Sequence, residues 1–190
     1  EVAPDANRRW PIIALVGGKW TTFRGFAEEV ADDLLARLNA SRRIATNRLP
    51  IGGGRDYPAD AGAWSDDAAR RTLAAPARAR HLLARYGTTA AAILAAEGAA
   101  PIMLADSDYS EQELDWIIRN EQVGTLADLV MRRTALAVTG HLSARDLARI
   151  ADVCAAALDW DAARRDRELG ETQAMLLTRH RLRMDQAASA

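Results

Sequence analysis

Several classes of chemistry are excluded by what this chain has little of. A single cysteine, Cys154, rules out an internal disulfide. The histidines, His81, His141 and His180, share no metal-ligand spacing with one another or with Cys154 and a neighbouring acid. No zinc site and no catalytic triad is expected, and no catalytic residue is assigned. Aromatic residues make up only 5% of the chain, and β-branched and aromatic residues are scarce after residue 30, which argues against a sheet there. No apolar run approaches the roughly 20 residues a membrane helix needs, and no signal peptide is recognisable. With a net charge of −1 there is no electrostatic footprint for nucleic acid.

What is present reads as helix. Hydrophobic residues reach 49%, largely through alanine, and 190 residues suffice for one domain with a sizeable core. A first helix is expected from about Thr22 to Asn39, with Phe23, Phe26, Ala27, Val30, Leu34 and Leu38 on one stripe. Residues 41–63 carry prolines and glycines without helical periodicity and read as a connector. Beyond it, Ser65-Asp66-Asp67 reads as a helix start. Pro76 opens a helix that Gly87 closes, and Thr88 or Thr89 caps an alanine-rich helix that stops at Gly98. Ser110 to Glu113 is a capping box, and Thr125 to Asp128 repeats that signal. Ser143 starts a helix whose Leu147, Ile150, Ala151, Cys154 and Leu158 form an apolar row, and Asp161 starts a last long helix.

One segment reads as chemistry rather than packing. The apolar run from Ile12 to Val16 has the length of a buried strand, and Gly17, Gly18, Lys19, Trp20, Thr21 and Thr22 follow it into a helix. Glycines let backbone N–H groups approach a ligand closely, and the helix start favours an anion. Lys19 adds a mobile charge and the threonines add hydroxyls. By itself the pattern fits neither the phosphate loop of the nucleotidases nor the dinucleotide fingerprint. A tight turn with a solvated lysine is the plain alternative.

The string Gly17-Gly18-Lys19-Trp20-Thr21-Thr22-Phe23-Arg24 resembles the closing segment of the flavin domain in FAD-dependent glycerol-3-phosphate dehydrogenases. Pro50-Ile51-Gly52-Gly53-Gly54 is similar to that family's Pro-Leu-Pro-Gly-Gly loop, departing at Ile51-Gly52. Leu83-Ala84-Arg85-Tyr86-Gly87 resembles its Arg-Tyr-Gly helix end. Arg119 to Asp128, running into Arg132-Arg133-Thr134, resembles its Arg-x-Glu-x-x-x-Thr-Leu-x-Asp signature. Leu158-Asp159-Trp160-Asp161 resembles its Leu-Gly-Trp-Asp turn, with Asp159 in place of glycine. The motifs occur in family order and span about Ile12 to Leu169.

The resemblance implies an all-α fold: a helical-bundle C-terminal domain with a short N-terminal strand–turn remnant of a flavin-binding domain. Residues 1–40 would be the last strand, turn and helix of the FAD domain. Residues 41–63 would be the connector, 64–183 the helical domain and 184–190 a frayed tail. The first strand-like run has no partner strand nearby in sequence, so the chain is expected to be a piece of a larger enzyme, inactive alone and unable to hold FAD tightly. The resemblance further implies oxidation of sn-glycerol 3-phosphate to dihydroxyacetone phosphate, with electrons passing to FAD and then a quinone. Gly17, Gly18, Lys19, Trp20, Thr21 and Thr22 would touch the cofactor, and Lys19 the substrate as well. The implied location is cytoplasmic, or peripheral on the inner face of the cytoplasmic membrane. Bracing, dimerisation into a homodimer and membrane docking all stay open as roles of the helical domain. The rival readings are a stand-alone helical interaction module and a flavin oxidase of different substrate.

Other candidates have bland readings. Glu121 with Arg119, and Asp128 with Arg132, are spaced for structural ion pairs, with docking onto the flavin domain as the functional alternative. Cys154 reads as an inert core thiol, and Trp64, Trp116 and Trp160 as interhelical packing. The basic cluster from Arg164 to Arg183 reads as a solvated face, with attraction to anionic lipid as its alternative.

Overall fold

The structure, a computed structural model, describes residues 11–17, 19–140 and 142–184. They divide into two compact units, one ending at Ile51 and the other beginning at Gly52.

In the first unit no ladder strand forms among the described residues. Ile12 makes an isolated bridge and residues 13–17 have no regular structure, since a run needs a neighbouring strand along its length to form a ladder. A single 3-10 turn, Trp20–Thr22, leads into helix α1, Phe23–Arg37. The helix is amphipathic in sequence, yet it contains no buried residue. Leu34 and Leu38 are exposed, and Phe26 and Val30 are only half-buried. Helix periodicity creates an apolar stripe; covering it takes a second surface, and the described residues of this unit supply little.

The second unit is all helix apart from a small hairpin around Met103 and Ser110, where Leu104 N–H donates to the Tyr109 carbonyl at 2.9 Å. Its helices are α2 Ala61–Thr72, α3 Pro76–Tyr86, α4 Ala90–Glu97, α5 Glu111–Asn120, α6 Leu126–Asp128, α7 Leu136–Thr139, α8 Ala144–Leu158 and α9 Ala162–His180. Helices α2, α3 and α4 pack around Ala79, Leu82, Ile93 and Leu94. Helices α5, α6, α8 and α9 enclose a larger core in which Leu114, Ile117, Leu126, Leu147, Ile150, Cys154 and Leu176 are fully buried. Tyr86 and Trp116 lie against both cores, their ring centroids 6.2 Å apart, and join the two clusters. Trp64 packs on the smaller core and Trp160 lies in the larger one.

Most helix starts follow their caps. Pro76 opens α3, Gly87 ends it, and the Ser110 capping box and the Ser143 and Asp161 caps stand where the sequence puts them. Three starts or spans differ. Helix α2 begins a turn early, with Asp60 accepting from Ala63 N–H at 2.9 Å; Ser65 is buried inside the helix and donates to the Ala61 carbonyl. Neither Thr88 nor Thr89 caps α4, because Thr88 is drawn to the carbonyls of Gly53 and Arg55 at 3.0 and 2.7 Å. The helix opened by Thr125 widens into a π turn, Leu129–Arg133, and breaks at Thr134, whose hydroxyl and N–H both bond the Leu129 carbonyl.

The loop Gly52–Gly54 is locked onto the end of α3 by glycine on both sides. A Cβ at Gly53 would lie 1.7 Å from the Tyr86 carbonyl oxygen. One at Gly87, whose φ is +59°, would lie 2.3 Å from the Gly53 oxygen.

Candidate functional site

The turn that sequence singles out is open to solvent. Gly17, Lys19, Trp20, Thr21 and Thr22 are all exposed, Trp20 to 93%. Gly18 lies outside the described residues. Lys19 has extended backbone (φ −139°, ψ 128°) at the mouth of the 3-10 turn. Its carbonyl accepts the Thr22 hydroxyl at 3.1 Å and the Thr22 N–H at 3.3 Å, while its ammonium has no ion-pair partner among the described residues. Among the described residues the nearest atoms to a Cβ at Gly17 belong to the Phe26 ring, 3.7 Å away. The turn therefore presents a cation unpaired among the described residues, two residues before the exposed Thr21.

Local bonds hold this turn's helix to the chain that follows. Glu28 Oε1 accepts the Thr46 N–H at 2.6 Å and the Thr46 hydroxyl at 2.7 Å, and Glu28 Oε2 pairs with Arg42 at 2.8 Å. The Arg24 guanidinium donates to the Thr46 carbonyl. Arg24 thus ties the helix start to neighbouring structure. The Thr46 hydroxyl and N–H, aided by Arg42, hold the Glu28 carboxyl down at about 2.

In the second unit the largest concentration of charge is internal. Glu97 and Glu113 have side chains with no exposure, and Arg78 lies between them. Its guanidinium donates to Glu97 at 2.5 and 3.1 Å and to Glu113 at 2.6 Å. Arg85 donates to Glu113 at 2.8 Å and to Asp108 at 2.9 Å, and its guanidinium stacks 4.0 Å from the Tyr109 ring centroid. The Tyr86 hydroxyl donates to Glu113 at 2.6 Å, and the Ser110 hydroxyl to Glu97 at 2.5 Å. Burial works against both guanidinium charges, but Glu97 and Glu113 more than offset it for Arg78, and Glu113 with Asp108 for Arg85, so both stand above their ordinary value. Burial, then the Glu113 charge, pushes the Tyr86 phenol up. Every buried carboxylate oxygen here has a donor, which marks a structural joint among α3, α4 and α5. Sequence reading finds only the capping-box half of Glu113; its partners lie 27 to 35 residues away and carry no local signal.

Other sequence candidates are placed as follows. Asp128 pairs with Arg132 at 2.5 Å across one helical turn. Arg119 pairs with Asp115 at 2.9 Å, not with Glu121, because Asp115 is one turn back on the same helix face whereas Glu121 lies beyond the helix end. Cys154 is buried, and burial raises its thiol to about 12, as an inert core thiol requires. Arg164 stacks over Trp160 and Arg165 pairs with Asp152 and Asp166, so these two members of the basic cluster serve their own unit. His141 lies outside the described residues. No group of His, Cys, Asp and Glu among the described residues could hold a metal ion, and no helix among them is long and apolar enough to cross a membrane.

Comparison with known proteins places the helical unit in a family. Residues 44–165 match the family described as the C-terminal domain of alpha-glycerophosphate oxidase, and the chain belongs to it. Its relatives are glycerol-3-phosphate dehydrogenases. One from Mycobacterium leprae is 31% identical over 166 residues, covering 83% of this chain and 28% of the relative. A probable mitochondrial glycerol-3-phosphate dehydrogenase of Dictyostelium discoideum is 30% identical over 173 residues, covering 88% of this chain and 27% of the relative. The mitochondrial enzyme SDP6 of Arabidopsis thaliana is 26% identical over 184 residues, covering 88% and 29%. The chain thus spans under a third of the length of these relatives.

Proposed function

We propose that this chain acts as the C-terminal part of an FAD-dependent glycerol-3-phosphate dehydrogenase. The enzyme would oxidise sn-glycerol 3-phosphate to dihydroxyacetone phosphate and pass the electrons to a quinone. One observation carries the reading: the motif around Lys19 forms an exposed turn with an ammonium unpaired among the described residues and open backbone at Gly17. Those features fit a flavin and a phosphorylated substrate, since among the described residues nothing fills the space at Gly17 and no acid neutralises Lys19. FAD, when bound, would accept the hydride equivalent from the substrate's C2 carbon. Gly17, Gly18, Trp20, Thr21 and Thr22 would line the cofactor with backbone and hydroxyl groups, and Lys19 would bind the phosphate or the electron-rich ring. The half-covered stripe of α1 would pack against the flavin domain, and the helical unit would brace it from outside. A cytoplasmic location, or one on the inner face of the cytoplasmic membrane, goes with a quinone acceptor.

The test is made on the full-length protein with its upstream flavin domain. Purified, it should be yellow and reduce a quinone analogue with glycerol 3-phosphate. Lys19→Ala should cost about 10- to 100-fold in kcat/KM, the weight of one charged hydrogen bond. A colourless protein without this oxidation would leave a helical interaction module as the better reading. Turnover of amines or amino acids in place of glycerol 3-phosphate would keep the flavin and change the substrate.

A further inference from the structure

A polar row along α1 holds the chain that follows the helix, and the Lys19 turn stands at the head of that row. Arg24, Glu28 and Asp32 are spaced four apart and so share one face of the helix. Residues 42–46 run back along this face as a strap. Thr46 meets the first two members: its carbonyl accepts from Arg24, and its N–H and hydroxyl donate to Glu28 at 2.6 and 2.7 Å. Arg42, four residues earlier, meets the last two, pairing with Glu28 at 2.8 Å and donating to Asp32 at 2.9 and 3.2 Å. The strap is thus antiparallel to the helix. Glu28 is half-buried at its centre and takes bonds from both ends of it.

Polar bonds, not apolar packing, fix α1 against this chain, because the helix has no buried residue. Arg24 sits in the first turn, where a cation opposes the helix dipole. Its bond to the Thr46 carbonyl gives that placement a purpose, and its guanidinium also lies 5.7 Å from the Phe23 ring centroid. Only the 3-10 turn Trp20–Thr22 separates Phe23 from Lys19, and the Thr22 hydroxyl and N–H close it onto the Lys19 carbonyl at 3.1 and 3.3 Å. A short series of bonds therefore runs from Thr46 through the helix start to Lys19.

We propose that Glu28 and Thr46 are positioning residues for Lys19: by clamping the start of α1 to the strap they set where the lysine ammonium stands. They act through Lys19 and not on substrate or flavin. This role rests on the reading of Lys19 as the group that binds the substrate phosphate or the flavin ring, and it adds two residues which that reading does not assign.

The experiment is a double-mutant cycle in the full-length, flavin-loaded protein. Glu28→Ala and Thr46→Val should each lower kcat/KM for glycerol 3-phosphate about 10-fold, within the factor of about 100 that an ångström of misplacement can cost. In a Lys19→Ala background the same changes should cost less than about twofold, because the group they position is gone. Thr46→Ser keeps the hydroxyl and the N–H and should recover most of what Thr46→Val loses. Losses that add in full to that of Lys19→Ala would mark a merely structural strap and overturn the proposal, as would equal losses in Thr46→Ser and Thr46→Val. A wild-type protein that does not oxidise glycerol 3-phosphate would sink the reading of Lys19, and with it any positioning role in that reaction. Whether the strap sets the turn is read separately, by proton–nitrogen NMR of the 190-residue chain. There Thr46→Val should shift the Lys19 and Thr22 amide signals, and signals left in place would overturn the coupling even in an active enzyme.

Discussion

Glu113 shows how much one side chain can be asked to hold. Its two oxygens take Arg78, Arg85, the Tyr86 hydroxyl and its own cap N–H with no exposure to water. Replacing both charges of such a pair by apolar groups can be neutral, but removing one partner strands the other. Glu113→Ala should therefore cost about 3–5 kcal/mol, read from the urea midpoint of the chain. A loss below about 1 kcal/mol would mean that water or a neighbour replaces the carboxylate. This residue was half legible in sequence. Ser110 and Glu113 announce a capping box because they are three residues apart, whereas nothing local says that two arginines and a tyrosine converge on the same oxygens.

Among the elements, the link between α1 and its following loop depends on pH. Folded Glu28 has its carboxyl at about 2, against an ordinary 4.5, so the charged form is favoured in the fold. The stabilisation is complete above 4.5 and is lost as pH falls towards about 2. The Thr46 amide signal should thus hold its position through pH 4.5 and shift with a midpoint near 2. A midpoint near 4.5 would show that the carboxylate is not bonded there. Helix positions themselves were readable, because caps and prolines act over a few residues. The exceptions are instructive: Thr88 left its capping role for the Gly53 and Arg55 carbonyls, and the Thr125 helix opened into a π turn that no residue pattern announces.

Over the whole molecule, burial is unevenly shared. Helices α5 and α8 carry fully buried Leu114, Ile117, Leu147 and Ile150, while α1 carries no buried residue. Local opening is easiest where few apolar contacts resist it. In this chain, amides of α1 should exchange with deuterium about 100-fold faster than those of α5 and α8, measured by mass spectrometry. Equal protection would mean that α1 finds cover elsewhere. Joined to the flavin domain that the proposed function requires, the same helix should gain protection.

Order and identity of the helices, the apolar rows of α5 and α8 and the family motif about Lys19 follow from sequence, because each rests on residues within a turn or two of one another. Pairings across tens of residues were decided by tertiary structure alone. It drew Arg85 and Arg78 onto Glu113 and set Gly53 against Gly87 where neither could carry a side chain. Such outcomes depend on which elements meet in space, and short-range patterning holds no record of that.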